Sequence, residues 1–318
     1  MLKKILKTKL VTVILSCKII SNIFLKNSTI IVVYHGVSNN QPHFHTMFNL
    51  NINPKLFEKQ LIWLKNNFNI ISPTELLQND YKKPAVMITF DDGDKSYIKN
   101  AVPILKKHKI PSLIFLNMAV IKGDLSWAGL VTYLTEISKE FNEYIKIKKI
   151  NKYKSINFLE INKKIVKKFF KTINKKKFFL KISKYTGNFL TVSDLIKLDK
   201  NNLVYFGNHL YNHYNAINLN SNDLKNQYIK NQNAIKKFNN FIKIFAYPFG
   251  QKNTCYNLKT NKILKKLGAK AIFSSNPLSF NKKDILHHRM PMSSIFTNNN
   301  ILISHLVLIK VRQFFSSK

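Results

Sequence analysis

The chain has 318 residues, 45% of them hydrophobic, and a formal net charge of +37. That length and apolar content fit a globular chain with one substantial core and exclude a disordered or fibrous one. The charge invites a nucleic-acid reading, but lysines run along almost the whole chain and the only arginines are Arg289 and Arg312. Arginine makes the bidentate contacts to bases and phosphates, so nucleic acid is not expected as a partner. Lysine, asparagine and isoleucine are all abundant, a bias that AT-rich codons produce on their own. The two cysteines, Cys17 and Cys255, make no disulfide framework.

At the N-terminus, Lys3, Lys4, Lys7 and Lys9 precede an apolar run that Lys18 interrupts. The run is too short to span a bilayer. With Ile19, Ile20, Ile23, Phe24 and Leu25 it reads as a basic amphipathic segment over residues 1–28. Such a segment lies against an anionic membrane surface or the protein body. A cytoplasmic or peripheral membrane location follows, with a signal peptide or uncleaved anchor as the alternative. Strands are expected at Thr29–Tyr34, Ala85–Phe90, Ser112–Leu116, Leu203–Phe206, Lys243–Tyr247 and Ala269–Ser274. Helices are expected at Pro54–Asn67, Ser96–His108, Asn222–Phe238 and Asn257–Leu267. This alternation predicts an α/β fold, a parallel sheet wrapped by helices in a barrel or doubly wound. Residues 138–185 are lysine-rich and read as inserted helices, and residues 296–318 as a C-terminal amphipathic helix.

The chemical residues gather where strands end. Asp91 and Asp92 follow the apolar run Ala85–Phe90 and precede Gly93. Neighbouring side chains on a strand face opposite ways, so two aspartates share a site only where the chain has turned, and Gly93 permits that turn. Two adjacent carboxylates repel unless a cation sits nearby, which points to a metal with one acid as ligand and the other free to move protons. The plainer reading is a helix N-cap. His209 and His213 are four apart, which on a helical turn brings both imidazoles to one face. One carboxylate with two imidazoles is a three-ligand set that leaves room for water and substrate, as in catalytic sites. His35 follows one strand and Pro248-Phe249-Gly250 another. All four groups therefore fall at C-terminal strand ends, where parallel barrels and open α/β sheets place active sites.

Taken together, the motifs resemble the polysaccharide deacetylase (NodB-homology) family. Thr89-Phe90-Asp91-Asp92-Gly93 is similar to its first motif. Asn208-His209 through His213 is similar to the second, with Leu210 where Ser or Thr is usual. Phe245-Ala246-Tyr247-Pro248-Phe249-Gly250 is similar to the third. The resemblance implies a distorted (β/α) barrel with a catalytic domain over residues 29–295, and removal of N-acetyl groups from an amino-sugar-containing glycan. It makes Asp91 the general base and Asp92, His209 and His213 the ligands of a divalent metal ion, zinc first, with cobalt, nickel or iron as alternatives. Tyr247, Pro248 and Phe249 become substrate-binding residues, with a backbone N–H near Tyr247 as an oxyanion donor. Tyr34-His35-Gly36 resembles the subgroup whose acid histidine comes first, which makes His35 the catalytic acid over His287, His288 and His305. The family's third motif often carries an arginine near Ala246, and Arg289 is expected to supply that charge from another strand end. Two other readings remain: a non-catalytic glycan- or membrane-associated protein on a degenerate scaffold, and a phosphohydrolase in which Asp92-Gly93-Asp94 acts as a DxD loop.

Overall fold

Fully buried parallel strands read as continuous apolar runs, and the chain's apolar runs become such strands. The computed structural model describes residues 14–139, 141–143, 175–275 and 285–316. The N-terminal lysines and residues 144–174 of the lysine-rich insertion lie outside the described residues. In chain order the strands are β1 (Thr29–Tyr34), β2 (Gly36–Val37), β3 (Asn51–Ile52), β4 (Asn69–Ile70), β5 (Ala85–Phe90) and β6 (Ser112–Leu116). They continue with β7 (Val204–Asn208), β8 (Phe241–Ala246), β9 (Ala271–Ser274), β10 (Leu286–His288) and β11 (Met290–Pro291). The main sheet runs β10-β9-β8-β7-β6-β5-β1-β11, with β4 also on β5, and its pairings are parallel.

The two ends of that order are neighbours in sequence. Leu286 and His288 pair with Ile272 and Ser274 of β9, while Met290 pairs with Val32 of β1. One short segment thus joins both edges and nearly closes the sheet into a barrel, and Arg289 is the residue at the seam. Strand faces alternate as the pleat requires. Ile31, Met87, Leu113, Phe115, Ala271 and Phe273 form one cluster. Val32, Tyr34, Ile88, Phe90, Ile114 and Phe206 join the helices in another. Between β7 and β8 the register shifts, Phe206 facing Phe241 and Asn208 facing Phe245. Such a bulge re-aims the strand end. Gly207 sits at this point, where a Cβ would fall 2.6 Å from the Phe115 ring.

The helix Pro54–Asn67 forms as expected, with Pro54 in its first turn and the Asn53 side chain accepting from the Leu56 N–H at 2.8 Å. The stretch expected as one helix from Ser96 begins instead as a π-helical turn, Tyr97–Ala101, before the α-helix Val102–Lys107. Pro103 lacks the amide hydrogen that a regular ladder needs there. At the N-terminus, the helix Lys18–Leu25 packs on the C-terminal helix Asn299–Ser316. Leu25 enters the core beside Leu302 and Leu306, while Ile19 and Ile23 face solvent. Among the described residues, no helix is long and apolar enough to cross a membrane.

Phe57 shows how a helix braces the site. It has no solvent exposure and packs edge-on against Tyr34 and Phe90, ring centroids 5.0 and 5.9 Å away. These rings immediately precede His35 and Asp91. Phe57→Ala is expected to lower stability by about 3–5 kcal/mol, read as a shift of the urea unfolding midpoint.

Candidate active site

Asp91 leaves β5 with its side chain 4% exposed and meets Arg289, whose side chain is fully buried. Arg289 Nη1 donates to Asp91 Oδ1 at 2.6 Å and Nη2 to Oδ2 at 2.7 Å. The remaining donors are also used: Nε reaches the Ser274 carbonyl, Nη1 also Thr89 Oγ1, and Nη2 also Ser275 Oγ. The guanidinium lies 5.1 Å from the centre of the Phe115 ring. Burial pushes the Asp91 pKa up, but the Arg289 charge, with His209, outweighs it, so the carboxyl sits below its ordinary value. Arg289 thus keeps a buried acid ionised, from the strand end expected to supply that charge.

The next residue turns the chain. Asp92 has φ +69° and Gly93 φ +77°, a left-handed pair that Asp tolerates and Gly accepts freely. The turn brings Asp92 Oδ1 to 3.0 Å from His213 Nε2 and 3.4 Å from His209 Nε2. Ligand atoms of these three residues all lie within 4.8 Å of one another. His209 Nδ1 donates to the Ala246 carbonyl at 2.8 Å, which leaves Nε2 with its lone pair outward. Asp92 Oδ1 is buried and forms no hydrogen bond among the described residues, despite two imidazole nitrogens in range. An orphaned carboxylate oxygen facing two imidazole nitrogens is the donor set a divalent cation satisfies, so these residues fit a metal. Burial raises the Asp92 pKa, yet His213 and His209 bring it well below the usual value. Burial lowers His209, but Asp91 and Asp92 raise it by more.

The histidines do not sit on a helix as their spacing predicts. Residues 209–213 form a loop, with Leu210 at φ +59° and His213 at φ +56°. A β-branched or bulky residue rarely adopts that conformation, and Leu210 is held there by its burial in a cluster with Phe245 and Tyr247. An amide network braces the loop. Asn208 Oδ1 accepts from the Leu210 N–H and from Asn231 Nδ2, which also donates to the Leu116 carbonyl. Gln227 pairs with Asn212 through both its amide groups. Gln227 and Asn231 are four apart on the helix Ser221–Ile235. No sequence signal marked these amides in a chain crowded with asparagine; only their spacing on one helix face could have. Asn231→Ala strands the Met118 N–H and removes one of the two donors to the buried Asn208 oxygen, and is expected to cost about 1–3 kcal/mol, measured by thermal and urea unfolding.

His35, Asp91, Asp92, His209, His213 and Phe249 line one cavity of about 450 Å³. Burial lowers the His35 pKa against the pull of Asp92 and Asp91. The other candidate acids lie elsewhere: His305 packs on Phe296, His287 on Phe273, and His288 Nδ1 bonds Ser274 Oγ. The third-motif expectations need correction at two residues. The Tyr247 hydroxyl donates to Asn261 Oδ1 at 2.7 Å and lies 2.9 Å from Thr260 Oγ1, and its N–H donates to the Phe273 carbonyl, so neither ring nor amide serves the cavity. Pro248 is buried outside the lining, whereas Phe249 reaches it and packs 4.8 Å from the His213 ring. Asp94, the second acid of the DxD reading, is absent from the metal-capable group; its Oδ1 accepts from the Ser96 N–H.

A family model described as polysaccharide deacetylase matches residues 78–143 and 149–272. The chain belongs to the polysaccharide deacetylase family. A poly-beta-1,6-N-acetyl-D-glucosamine N-deacetylase of Staphylococcus aureus is 33% identical over 29% of this chain and 37% of that protein. The match thus spans little more than a third of that relative's length. Among solved structures, the Streptococcus pyogenes deacetylase PplD, in complex with acetate, superposes with a TM-score of 0.57 at 20% identity, over 89% of this chain and 97% of that one. IcaB from Ammonifex degensii gives 0.56 at 17% identity, over 88% and 97%. These likenesses establish the fold, a nearly closed parallel barrel surrounded by helices.

The ionised pair Asp91–Arg289 makes a signed prediction for metal-free protein. Asp91 and Asp92 titrate below their unfolded values near 3.9, so the folded state binds fewer protons. Their contribution is complete above about pH 4 and is lost as pH falls through the lowered folded values. Arg289→Met leaves Asp91 buried without its principal counter-charge, at a cost of about 3–5 kcal/mol at pH 7. An unpaired buried carboxyl has a raised pKa, so this deficit shrinks on acidification. Urea unfolding of both proteins at pH 7 and pH 4.5, in chelator, reads the difference.

Proposed function

We propose that the chain is a metal-dependent hydrolase that removes N-acetyl groups from an amino-sugar-containing glycan. The observation that carries this reading is the convergence of Asp92, His209 and His213 beside the ionised Asp91 in a cavity that His35 also lines. Asp92, His209 and His213 would hold the divalent ion, zinc first among zinc, cobalt, nickel and iron. When bound, such an ion supplies Lewis acidity toward the amide carbonyl. Asp91 takes the proton from the water that attacks that carbonyl. Arg289 orients Asp91 and keeps it deprotonated between turnovers. His35 gives a proton to the departing amine, and burial, which lowers its pKa, favours release of that proton. Phe249 offers an apolar wall to the sugar. The name of the Staphylococcus aureus relative supports β-1,6-linked poly-N-acetylglucosamine as the first polymer to try.

Acetate release from that polymer, with metal content measured in parallel, tests the assignments. Asp91→Asn is expected to keep the metal and lose activity by about 10²–10⁴-fold. Asp92→Asn, His209→Ala and His213→Ala are expected to lose both. Equal metal loss in Asp91→Asn and Asp92→Asn would reverse the two roles, and wild-type protein that binds no divalent ion would overturn the reading.

A further inference from the structure

We propose that His45 and Asp94 form a clamp for a hydroxyl group of the amino sugar, a specificity device that rests on the glycan reading above. His45 belongs to the short helix His43–Phe48, and Asp94 lies two residues past the metal-capable turn. Both line the cavity, and their side chains are 8% and 10% exposed. His45 Nε2 stands 3.7 Å from Asp94 Oδ2, too far for a hydrogen bond.

The hydroxyls of the neighbouring wall are engaged, while Asn117 Oδ1, elsewhere in the lining, forms no hydrogen bond among the described residues. Thr132 Oγ1 donates to the Ala128 carbonyl and Thr186 Oγ1 to the Ile182 carbonyl, each spent on its own helix. Ser126 Oγ accepts the Gly129 N–H. Phe44 and Phe48 are apolar. Asp94 Oδ1 is likewise committed to the Ser96 N–H and hydroxyl. Oδ2 has no hydrogen bond among the described residues, and His45 Nδ1 is buried without a partner. Side by side here stand an imidazole edge and a carboxylate oxygen, 3.7 Å apart.

A hydroxyl is the group that satisfies both at once. It accepts from an imidazole N–H and donates to a carboxylate oxygen. A methylene in the same place leaves two nearly dry polar groups unpaired, and sites of that kind discriminate far more strongly than apolar pockets do. Two glycines give the pair its room. A Cβ on Gly36 would lie 2.8 Å from His45 Nδ1, so the bare α-carbon lets the ring rest against the backbone just after His35. A Cβ on Gly187 would meet Pro42 at 2.9 Å and Asp94 Oδ2 at 3.4 Å. Because His45 and Asp94 line the same cavity as Asp91 and Asp92, the clamp is proposed to take a ring hydroxyl of a sugar whose acetamide lies at the acid pair.

The test compares a substrate that has ring hydroxyls with one that has none. Wild type, His45→Phe, His45→Gln and Asp94→Asn are assayed on a β-1,6-linked N-acetylglucosamine pentamer and on p-nitrophenyl acetate, with thermal midpoint and metal content recorded for each. The clamp predicts that His45→Phe and Asp94→Asn lower kcat/KM on the pentamer at least tenfold more than on the ester. The loss falls mainly in KM, and His45→Gln, which keeps an N–H donor, recovers part of it. Equal losses on both substrates, or an unchanged pentamer KM, overturn the clamp while leaving the deacetylase reading intact. Wild-type protein that cleaves the ester and spares the pentamer overturns the β-1,6-linked polymer as substrate and the clamp built on it, an outcome visible before any variant is compared.

Discussion

A guanidinium with no access to solvent holds the barrel and its chemistry together. A buried charge is tolerated only when paired and fully hydrogen-bonded, and Arg289 meets that condition by gripping both oxygens of Asp91 and spending its other donors on Ser274, Thr89 and Ser275. Because Arg289 lies between β10 and β11, the pair crosses the seam where the sheet closes. The side chain at the closure of the barrel is thus also the one that holds the acid ionised. Lysine, plentiful in this chain, could not replace it: a single ammonium cannot fork to two carboxylate oxygens while bonding neighbours on both sides.

On this rigid frame the metal-capable groups are carried by turns. Asp92, Leu210 and His213 all have left-handed backbones, a conformation that costs energy for residues with bulky side chains. The cost is borne where three ligand atoms must converge from two strand ends. Asn208, Asn231 and Gln227 hold the histidine loop to a helix through amide hydrogen bonds. The bulge at Gly207 sets the angle at which β7 delivers that loop. Strain in the loop and rigidity behind it belong to the same design.

Much of this was legible in the sequence because buried parallel strands are continuous apolar runs. Thr29–Tyr34, Ala85–Phe90 and Ser112–Leu116 have the bounds their composition predicts. The groups at their C-terminal ends were readable for the same reason. What was not legible was shorter or depended on distant neighbours. The strands β10 and β11 are three and two residues long and flank an arginine, so no periodicity marks them. The i, i+4 spacing of His209 and His213 implied a helical turn, but tertiary packing around Leu210 set the loop instead. Tyr247 sits in a motif, yet strand alternation turns its ring toward Tyr256, stacked 4.8 Å away, and only Phe249, beyond the strand end, reaches the cavity. His45 gave no signal at all, since its importance comes from the approach of Asp94 and the bare backbone at Gly36.

The partners in the central ion pair stand 198 positions apart in the chain. During synthesis the acids and imidazoles leave the ribosome well before the arginine that completes them. Until it arrives the sheet lacks its last strand and Asp91 its counter-charge. A polypeptide stalled short of that point therefore carries the metal-capable residues Asp92, His209 and His213 but leaves Asp91 without its arginine, and the hydrolytic competence proposed for this site is withheld until the whole architecture exists.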